Sequence, residues 1–335
     1  MIWLTWRQSR AQLIGAVGVL AVLALVLEVT GPDLAHLYNT SGIVRCPPSS
    51  CATLANRFLN KISKIDTLLY FLGIGLLYAV PVIIGIFWGA PLVAREIEAH
   101  THRLIWNQSV TRTRWLAIKL TVLALAATAF AGLLNLMLNW WSSPIDRAAS
   151  LNPGHGIGFA RIAPVLFDVR GVAPIAYAAF AFALGAVIHR TLPAMATTLV
   201  VFFIVMIAMP SFIRPNLIAP AHANVALRAV NVVGIRGTQV IATPAYVPPG
   251  GWILSTQVIS KSGHAFETAM TSACQTPNFT KCVLSIVSQD PRQLITYQPA
   301  SRFWALQWYE SAIFIALALL VAAASVLWIR RPRIA

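Results

Sequence analysis

Long runs of apolar residues alternate with short polar segments along the whole chain. A helix needs about 20 mostly apolar residues to cross a bilayer, and six stretches meet or approach that length. The pattern therefore predicts six transmembrane helices, of which the fourth and fifth form a tight helical hairpin. The six stretches are Ala11–Val29, Leu68–Ala94, Leu120–Trp141, Gly171–Ile188, Leu192–Ile213 and Ser311–Ile329.

The composition supports a membrane protein. The 335 residues are 58% hydrophobic and only 10% charged, with a mean hydropathy of +0.71, whereas soluble domains carry roughly 25% charged residues. The net charge of +15 would suggest a nucleic-acid partner in a soluble protein. Here the basic residues lie in the segments between apolar runs, so we expect contact with membrane lipid and no nucleic acid. The fold class expected is an all-α integral membrane protein.

Basic residues are distributed unevenly between the two sets of connecting segments. With a cytoplasmic N-terminus, the inner segments hold 11 Lys and Arg in 44 residues and the outer segments hold 14 in 165. Because cytoplasmic loops carry the excess of Lys and Arg, we predict that both termini of this cell-membrane (inner or plasma membrane) protein are cytoplasmic. The inner segments are 1–10, 95–119, 189–191 and 330–335, and the outer ones are 30–67, 142–171 and 214–310.

The N-terminal segment 1–12 precedes the first apolar run. Trp3, Trp6 and Arg10 share one helical face by their spacing, and indole and guanidinium groups favour the headgroup zone. One interpretation is an amphipathic interfacial helix. The other is a set of simple anchors flanking the first span.

All four cysteines fall in the predicted outer segments. Cys46 and Cys51 lie in the first, and Cys274 and Cys282 in the last. Disulfides persist outside the cytosol, so two close pairs suggest two local bridges. Unpaired thiols are the alternative.

The largest polar segment, 214–310, contains short, partly β-branched apolar stretches at Asn231–Ile241, Trp252–Ile259 and Cys282–Val287. These stretches are typical of strands or re-entrant pieces. We expect a small extracytoplasmic cap between the fifth and sixth helices, with no catalytic role.

No familiar catalytic motif occurs in the sequence. It lacks HExxH, GxSxG and GxxxxGK[ST]. The chain therefore cannot bind ATP through a P-loop of its own, and we expect no enzyme activity, no cofactor and no metal. His100 and His102 point away from each other on a helix and make a poor shared metal site.

Polar residues inside the third apolar run are the clearest functional candidates in a span. Thr121, Thr128, Asn135 and Asn139 form one stripe at helical spacing. Asparagine in hydrocarbon needs partners or water. The stripe either lines a translocation path or supplies hydrogen bonds between helices.

Two further features stand at or within spans. Gly85 and Gly89 have the GxxxG spacing that permits close helix approach. Glu310 lies at the outer end of the last predicted span, beside several aromatic residues. It is either an outer-gate residue or, more simply, a solvated helix end.

The segment Ala94–Lys119 resembles the cytoplasmic loop of ABC type-2 exporter permeases. In that family an acidic E-x-E element is followed by a small residue and Thr. A Leu-rich turn, a Val-Ser/Thr-Arg turn and a Lys that opens the next span come after it. In this chain His100 occupies the position where the family has Gly. The chain ends are also similar to actinobacterial members, at Trp3–Gln8 and at Gln307 to Glu310. The loop residues that match are Glu96, Glu98, Thr101, Leu104, Val110, Arg112 and Lys119.

The resemblance implies a partner and a mechanism. Two permease units, identical or paralogous, pair in the membrane, and separate ATP-binding-cassette subunits hold ATP and Mg²⁺. The loop 95–119 is expected to carry motion between ATPase and spans, and the exported compound is expected to be hydrophobic or amphipathic. Its expected coupling residues are Glu96, Glu98, Thr101, Arg103 and Arg112.

Three other functions compete with this hypothesis. A membrane sensor or immunity protein would have no ATPase partner. A membrane enzyme would gather acidic or histidine residues at one membrane face, and here they are scattered. An ion-coupled transporter would place ionisable residues near mid-membrane, and no predicted span has one at its centre.

Overall fold

The computed structural model describes residues 2–47, 50–98, 111–151, 161–188, 190–236, 238–246, 248–266, 274 and 278–329. Within this part the chain is mostly helical. The helices are α1 Ile2–Thr40, α2 Cys51–Lys61, α3 Lys64–Ile84, α4 Pro91–Glu98, α5 Arg112–Ser150, α6 Pro164–Phe167, α7 Ala173–Val187, α8 Thr191–Ala208, α9 Arg214–Leu217, α10 Phe279–Val287 and α11 Phe303–Ile329.

Five of the described helices are long and apolar enough to cross a membrane. The protein is therefore an integral membrane protein, and the apolar runs form helices as predicted. The fourth predicted span gives the shorter α7, whose 15 residues extend about 22 Å. Five spanning segments are Ser9–Thr40, Lys64–Arg95, Thr113–Ser150, Thr191–Leu217 and Ala300–Trp328.

Helix boundaries differ from the predicted spans at several ends. α1 runs without a break from Ile2, so the segment 1–12 and the first span share one helix. α5 begins at Arg112, and Lys119 lies within its second turn rather than opening it. Polar end residues continue these helices because their backbone hydrogen bonds still form inside the helix.

Helix α7 lies at the centre of the membrane part. Most of its side chains are buried, and it packs against α3, α5, α8 and α11. Its alanines and Gly185 let neighbouring backbones come close. A Cβ at Gly185 would overlap the carbonyl oxygen of Gly85, and one at Gly89 would overlap that of Phe182. The GxxxG pair thus permits the close approach its spacing suggests.

A π-helical turn, Gly85–Gly89, joins α3 to α4. Pro81 precedes it and has no N–H to donate, and the amide of Ala90 donates to the carbonyl of Gly85 at 2.9 Å. Pro91 then begins α4, where a missing N–H has no cost. The chain thus accommodates Pro81 and Pro91 at a widened turn that sets Gly85 and Gly89 against α7.

The segment between α9 and α11 contains β-structure, so the expectation of an all-α protein is wrong there. Two antiparallel sheets form within the described residues, one with the strand order β1-β5-β4 and one a hairpin of β2 and β3. The strands are β1 Ala221–Ala226, β2 Val232–Arg236, β3 Gln239–Ala242, β4 Trp252–Ile259 and β5 Arg292–Gln298.

Cys282–Val287, predicted as a strand or re-entrant piece, belongs instead to helix α10. Asn278 caps this helix by accepting from the amide of Lys281, and Cys282, Val283 and Ile286 form its buried face. This spacing is helical, but six residues are too few to separate the two periods.

Both cysteine pairs are bridged. Cys46 joins Cys51 across a Cα–Cα distance of 5.3 Å, and Cys274 joins Cys282 across 4.4 Å. The first bridge closes the turn into α2, and the second ties the preceding segment to α10.

The contact of α7 with the π-helical turn gives a testable consequence. We expect Gly185→Ala to lower the free energy of unfolding by about 1–3 kcal/mol, because the added methyl group must push two backbones apart. Thermal unfolding of the detergent-solubilised protein measures this. Gly75→Ala on α3 is the control, since a Cβ there meets nothing within 4 Å. Equal stability of the two variants would contradict the close packing.

Candidate functional site

A cluster of ionised and hydroxyl groups is buried where α7, α9 and α11 meet. The guanidinium of Arg214, which is 0% exposed, bonds both carboxylate oxygens of Glu310 at 2.7 and 2.8 Å and also pairs with Asp168. Tyr177 donates to Glu310 at 2.5 Å, and Tyr78 donates to Asp168 at 3.1 Å. We call these five residues the Arg214 cluster.

The cluster holds one guanidinium between two carboxylates. If all three groups are ionised, one negative charge is in excess. Arg214 also lies over the Phe167 ring, 4.0 Å from its centroid. Its Nη1 has no hydrogen-bond partner among the described residues. Buried pairs of this kind are strongly destabilising when one partner is removed, because a charge remains in a low dielectric.

Local sequence explains how Asp168 reaches this position. Pro164 begins the single turn α6, and Asp168 ends it. Gly171 then turns the chain with φ +73°, a conformation that favours glycine. A Cβ at Gly171 would lie 2.8 Å from the amide carbon of Gln307. Glycine is therefore required here both for the backbone angle and for the space.

Gln307 closes the same turn from α11. Its Oε1 accepts from the amides of Val172 and Ala173 at 3.0 and 2.8 Å, and its Nε2 donates to the carbonyl of Phe167 at 2.9 Å. The first amides of a helix have no partner within the helix, and Gln307 supplies one for α7. Glu310 follows three residues later, on the same face of α11.

A second buried ion pair lies on the other side of this turn. Arg170 bonds Asp146 at 2.7 Å. Tyr70 donates to the same carboxylate at 2.6 Å, and Ser142 donates at 3.2 Å. The turn 168–171 therefore places Asp168 in the Arg214 cluster and Arg170 in the pair with Asp146. These bonds attach the turn to α3 and α5 as well as to α9 and α11.

A cavity of about 540 Å³ lies beside the Arg214 cluster. Tyr78 and Asp168 are on its wall together with apolar residues from α3 and α8. Leu199 and Phe203 on α8 are exposed, so the cavity opens at the surface that faces lipid. The remaining lining residues are Val82, Pro164, Phe202, Met206, Ile207, Pro210 and Ser211.

Glu310 is not a solvated helix end. Its side chain is 0% exposed and lies at the centre of the Arg214 cluster. The simpler interpretation of this residue is therefore wrong, because Arg214 supplies a charge partner 96 positions earlier in the chain. The outer-gate role stays a prediction.

Only two of the four residues of the polar stripe on α5, Asn135 and Asn139, are hydrogen-bonded to each other. Asn135 donates to the carbonyl of Gly171 at 2.5 Å, and Asn139 donates to Asn135. Only the first of these bonds leaves α5, and it matches the interpretation of the stripe as a source of hydrogen bonds between segments. Thr128 returns its hydroxyl to Ala124 of its own helix, and Thr121 is exposed. A path-lining role for the four residues stays a prediction.

At the opposite end of the bundle, the carboxylate of Glu98 accepts from Thr191. The hydroxyl donates at 2.7 Å and the backbone amide at 2.9 Å. These two bonds, the hydroxyl first, hold the pKa of Glu98 below its usual value. Glu98 thus joins the end of α4 to the start of α8. Thr101 and Arg103, and the side chains of Glu96 and Arg112, lie outside the described part of the structure.

Sequence reasoning missed the four charged residues that join Glu310 in these clusters, namely Asp146, Asp168, Arg170 and Arg214. Each lies within five residues of the end of a predicted apolar run, where charged residues are ordinarily solvated. The available signal was the sign of the charges. Acidic and basic residues stand at neighbouring ends of four spans on the same predicted side, and ends on one side can meet.

Comparison with known families identifies the class of this membrane protein. The family described as ABC-2 membrane transporter related matches residues 17–214, which is more than half of the chain. The chain belongs to this family, and it is thus a membrane permease component of an ABC transporter. Comparison with curated proteins and with solved structures gave no match.

The Arg214 cluster makes a sharp stability prediction. We expect Arg214→Gln to lower the free energy of unfolding by about 3–5 kcal/mol, since two buried carboxylates lose their cation. Adding Glu310→Gln should recover part of that loss by removing one of the two charges. Thermal unfolding of the purified protein measures both.

The control for this experiment is Lys261→Gln. Lys261 pairs with Asp290 at 3.1 Å, but both side chains are more than half exposed, and such pairs contribute about 0–1 kcal/mol. A loss in Arg214→Gln no larger than in the control would refute the buried charge pairing.

Proposed function

We propose that the chain is the membrane-spanning subunit of an ATP-driven exporter and that it moves a hydrophobic or amphipathic compound outward. The family match over residues 17–214 carries this proposal. The chain has no P-loop, so ATP and Mg²⁺ are bound by a separate ATP-binding-cassette subunit. The cavity at the lipid-facing surface of α8 supports a substrate that enters from the bilayer.

The connection between α4 and α8 supports transmission of motion from the ATPase. Glu98 binds Thr191, the first residue of α8, and α4 continues through the π-helical turn into α3. Helices α3 and α8 both contribute residues to the cavity wall. A displacement of the cytoplasmic loop 95–119 would therefore reach both of these helices together. We propose Glu96, Glu98, Thr101, Arg103 and Arg112 as the coupling residues.

The proposed topology has six spans and cytoplasmic termini in the cell membrane. Helix α7 is counted as the fourth span although it is short, because the turn that precedes it is buried and hydrogen-bonded by Gln307 and Asn135. Irregular backbone is tolerated at membrane depth under these conditions. Segment 1–12 is then the interfacial part of α1, and 214–310 supplies the extracytoplasmic cap.

Helix α1 supports the proposal of a second permease copy. Only 6% of the residues in its most apolar 18-residue stretch are buried within the described part of the chain. Lipid or a second subunit covers this surface in the membrane. A transporter with two permease units and two ATPases would use such a face for pairing.

Co-purification with the cognate ATPase tests the coupling role. We expect Glu96→Lys combined with Arg103→Glu to weaken ATPase binding by at least about tenfold, because charge pairs at an interface are reversed. The exchange keeps the net charge of the loop, so the orientation in the membrane is preserved. Substrate-stimulated ATP hydrolysis should be lost as well.

Lys261→Glu is the control for the coupling experiment, since this exposed residue lies between β4 and β5 in the proposed cap. It should leave ATPase recovery unchanged. Full recovery and normal stimulation with the reversed loop would remove these residues from the coupling surface.

Reporter fusions test the proposed topology. Fusions after Arg10, near His189 and after Arg333 should all report the cytoplasmic side, because an even number of spans separates them. A fusion after Lys261 should report the outer side and serves as the opposite control. An outer signal after Arg333 would show that the number of spans is odd.

A further inference from the structure

The cavity beside the Arg214 cluster has the size of a small-molecule site. Its volume of about 540 Å³ falls within the range of roughly 300–1,000 Å³ that ligand pockets occupy. Walls formed by Leu199, Phe202, Phe203 and Met206 suit an apolar body. Asp168 is the one lining residue with an ionisable carboxyl group in the described cavity wall.

The electrostatics of this wall favour a cation. Arg214 carries the single positive charge of the cluster, but it is fully buried behind Asp168 and is not part of the cavity wall. A molecule in the cavity therefore meets the carboxylate first, backed by the second carboxylate of Glu310. With all three groups ionised, one negative charge in excess is left to interact with it.

The carboxylate of Asp168 can accept a further hydrogen bond. The Oδ1 of Asp168 accepts from Arg214 and lies 3.3 Å from the Tyr177 hydroxyl, whose proton goes to Glu310, whereas Oδ2 accepts from Tyr78 alone among the described residues. A carboxylate oxygen accepts about two hydrogen bonds. Tyr78 also lines the cavity, so the donor to Oδ2 comes from the cavity wall, and Oδ2 keeps capacity for one more donor.

We propose that this cavity binds lipophilic organic cations, including protonated amines with an apolar body, and that these are the substrate class of the permease. The apolar walls hold the body, and Asp168 neutralises the charge with Glu310 behind it. An anion of the same shape is repelled. The role of these cations as substrates rests on the proposed export function, whereas their binding in the cavity does not.

Binding to the purified permease without any ATPase tests the proposal. The probes are tetraphenylphosphonium and tetraphenylborate, which have nearly the same shape and opposite charge. We expect saturable binding of the phosphonium and no competition by the borate. Because no ATPase is present, failure of coupling leaves this result intact, and failure of binding leaves the ATPase experiment intact.

Two charge variants show whether the cluster is responsible. Asp168→Asn should weaken phosphonium binding by at least about tenfold. Glu310→Gln should weaken it by a smaller factor, since Glu310 acts from behind Asp168 and outside the cavity wall. The second variant keeps the test decisive if the first does not fold.

A steric pair shows whether the probe occupies this cavity. Leu199→Trp fills the wall and should abolish binding, whereas Leu192→Trp, on the same helix but outside the cavity, should leave it unchanged. Equal binding of the two probes, insensitivity to the charge variants and Leu199→Trp, or a phospholipid that is retained in the cavity and excludes the phosphonium would overturn the proposal.

Discussion

The structure of the membrane part depends on the burial of one guanidinium. Arg214 has no exposed surface and takes its charge partners from two separate segments, Asp168 before α7 and Glu310 on α11. In a bilayer no bulk water can solvate a misplaced charge, so the helices must meet where these groups meet. The ion pairs therefore specify which helix ends come together, a role that apolar packing in lipid performs poorly because lipid tails compete for the same contacts.

The same constraint explains the turn before α7. A short helix in the centre of a bundle leaves unpaired amides at its start, and these are satisfied by Gln307 from α11. The carbonyl of Gly171 is satisfied by Asn135 from α5. A single glutamine and a single asparagine thus satisfy the irregular backbone of this turn, as irregular backbone inside a membrane protein requires. The turn that they hold carries Asp168, which lies on the cavity wall.

The parts of this fold that can be predicted from the sequence are those that the lipid environment requires. Lipid requires long apolar runs, and such runs are visible in the chain, as are close pairs of cysteines in the polar segments between them. The tertiary partners are not visible. Asn135 in an apolar run needs a hydrogen-bond partner, but the sequence does not identify the carbonyl of Gly171 as that partner. Glu310 beside Trp308 and Tyr309 has the surroundings of an interfacial residue, and its burial depends on Arg214. The helix at Cys282 was missed because a six-residue apolar run fits either period.

The distance along the chain between Arg214 and Glu310 has a consequence for biosynthesis. Ninety-six positions separate the two residues, and chains are synthesised at about 5–20 residues per second. Arg214 is therefore made several seconds before Glu310, while Asp168 has already been made. The guanidinium first has one carboxylate available, and the second arrives with the last helix. Completion of the cluster thus marks the end of membrane integration, and a chain truncated before α11 would leave the guanidinium of Arg214 without the two hydrogen bonds that Glu310 accepts.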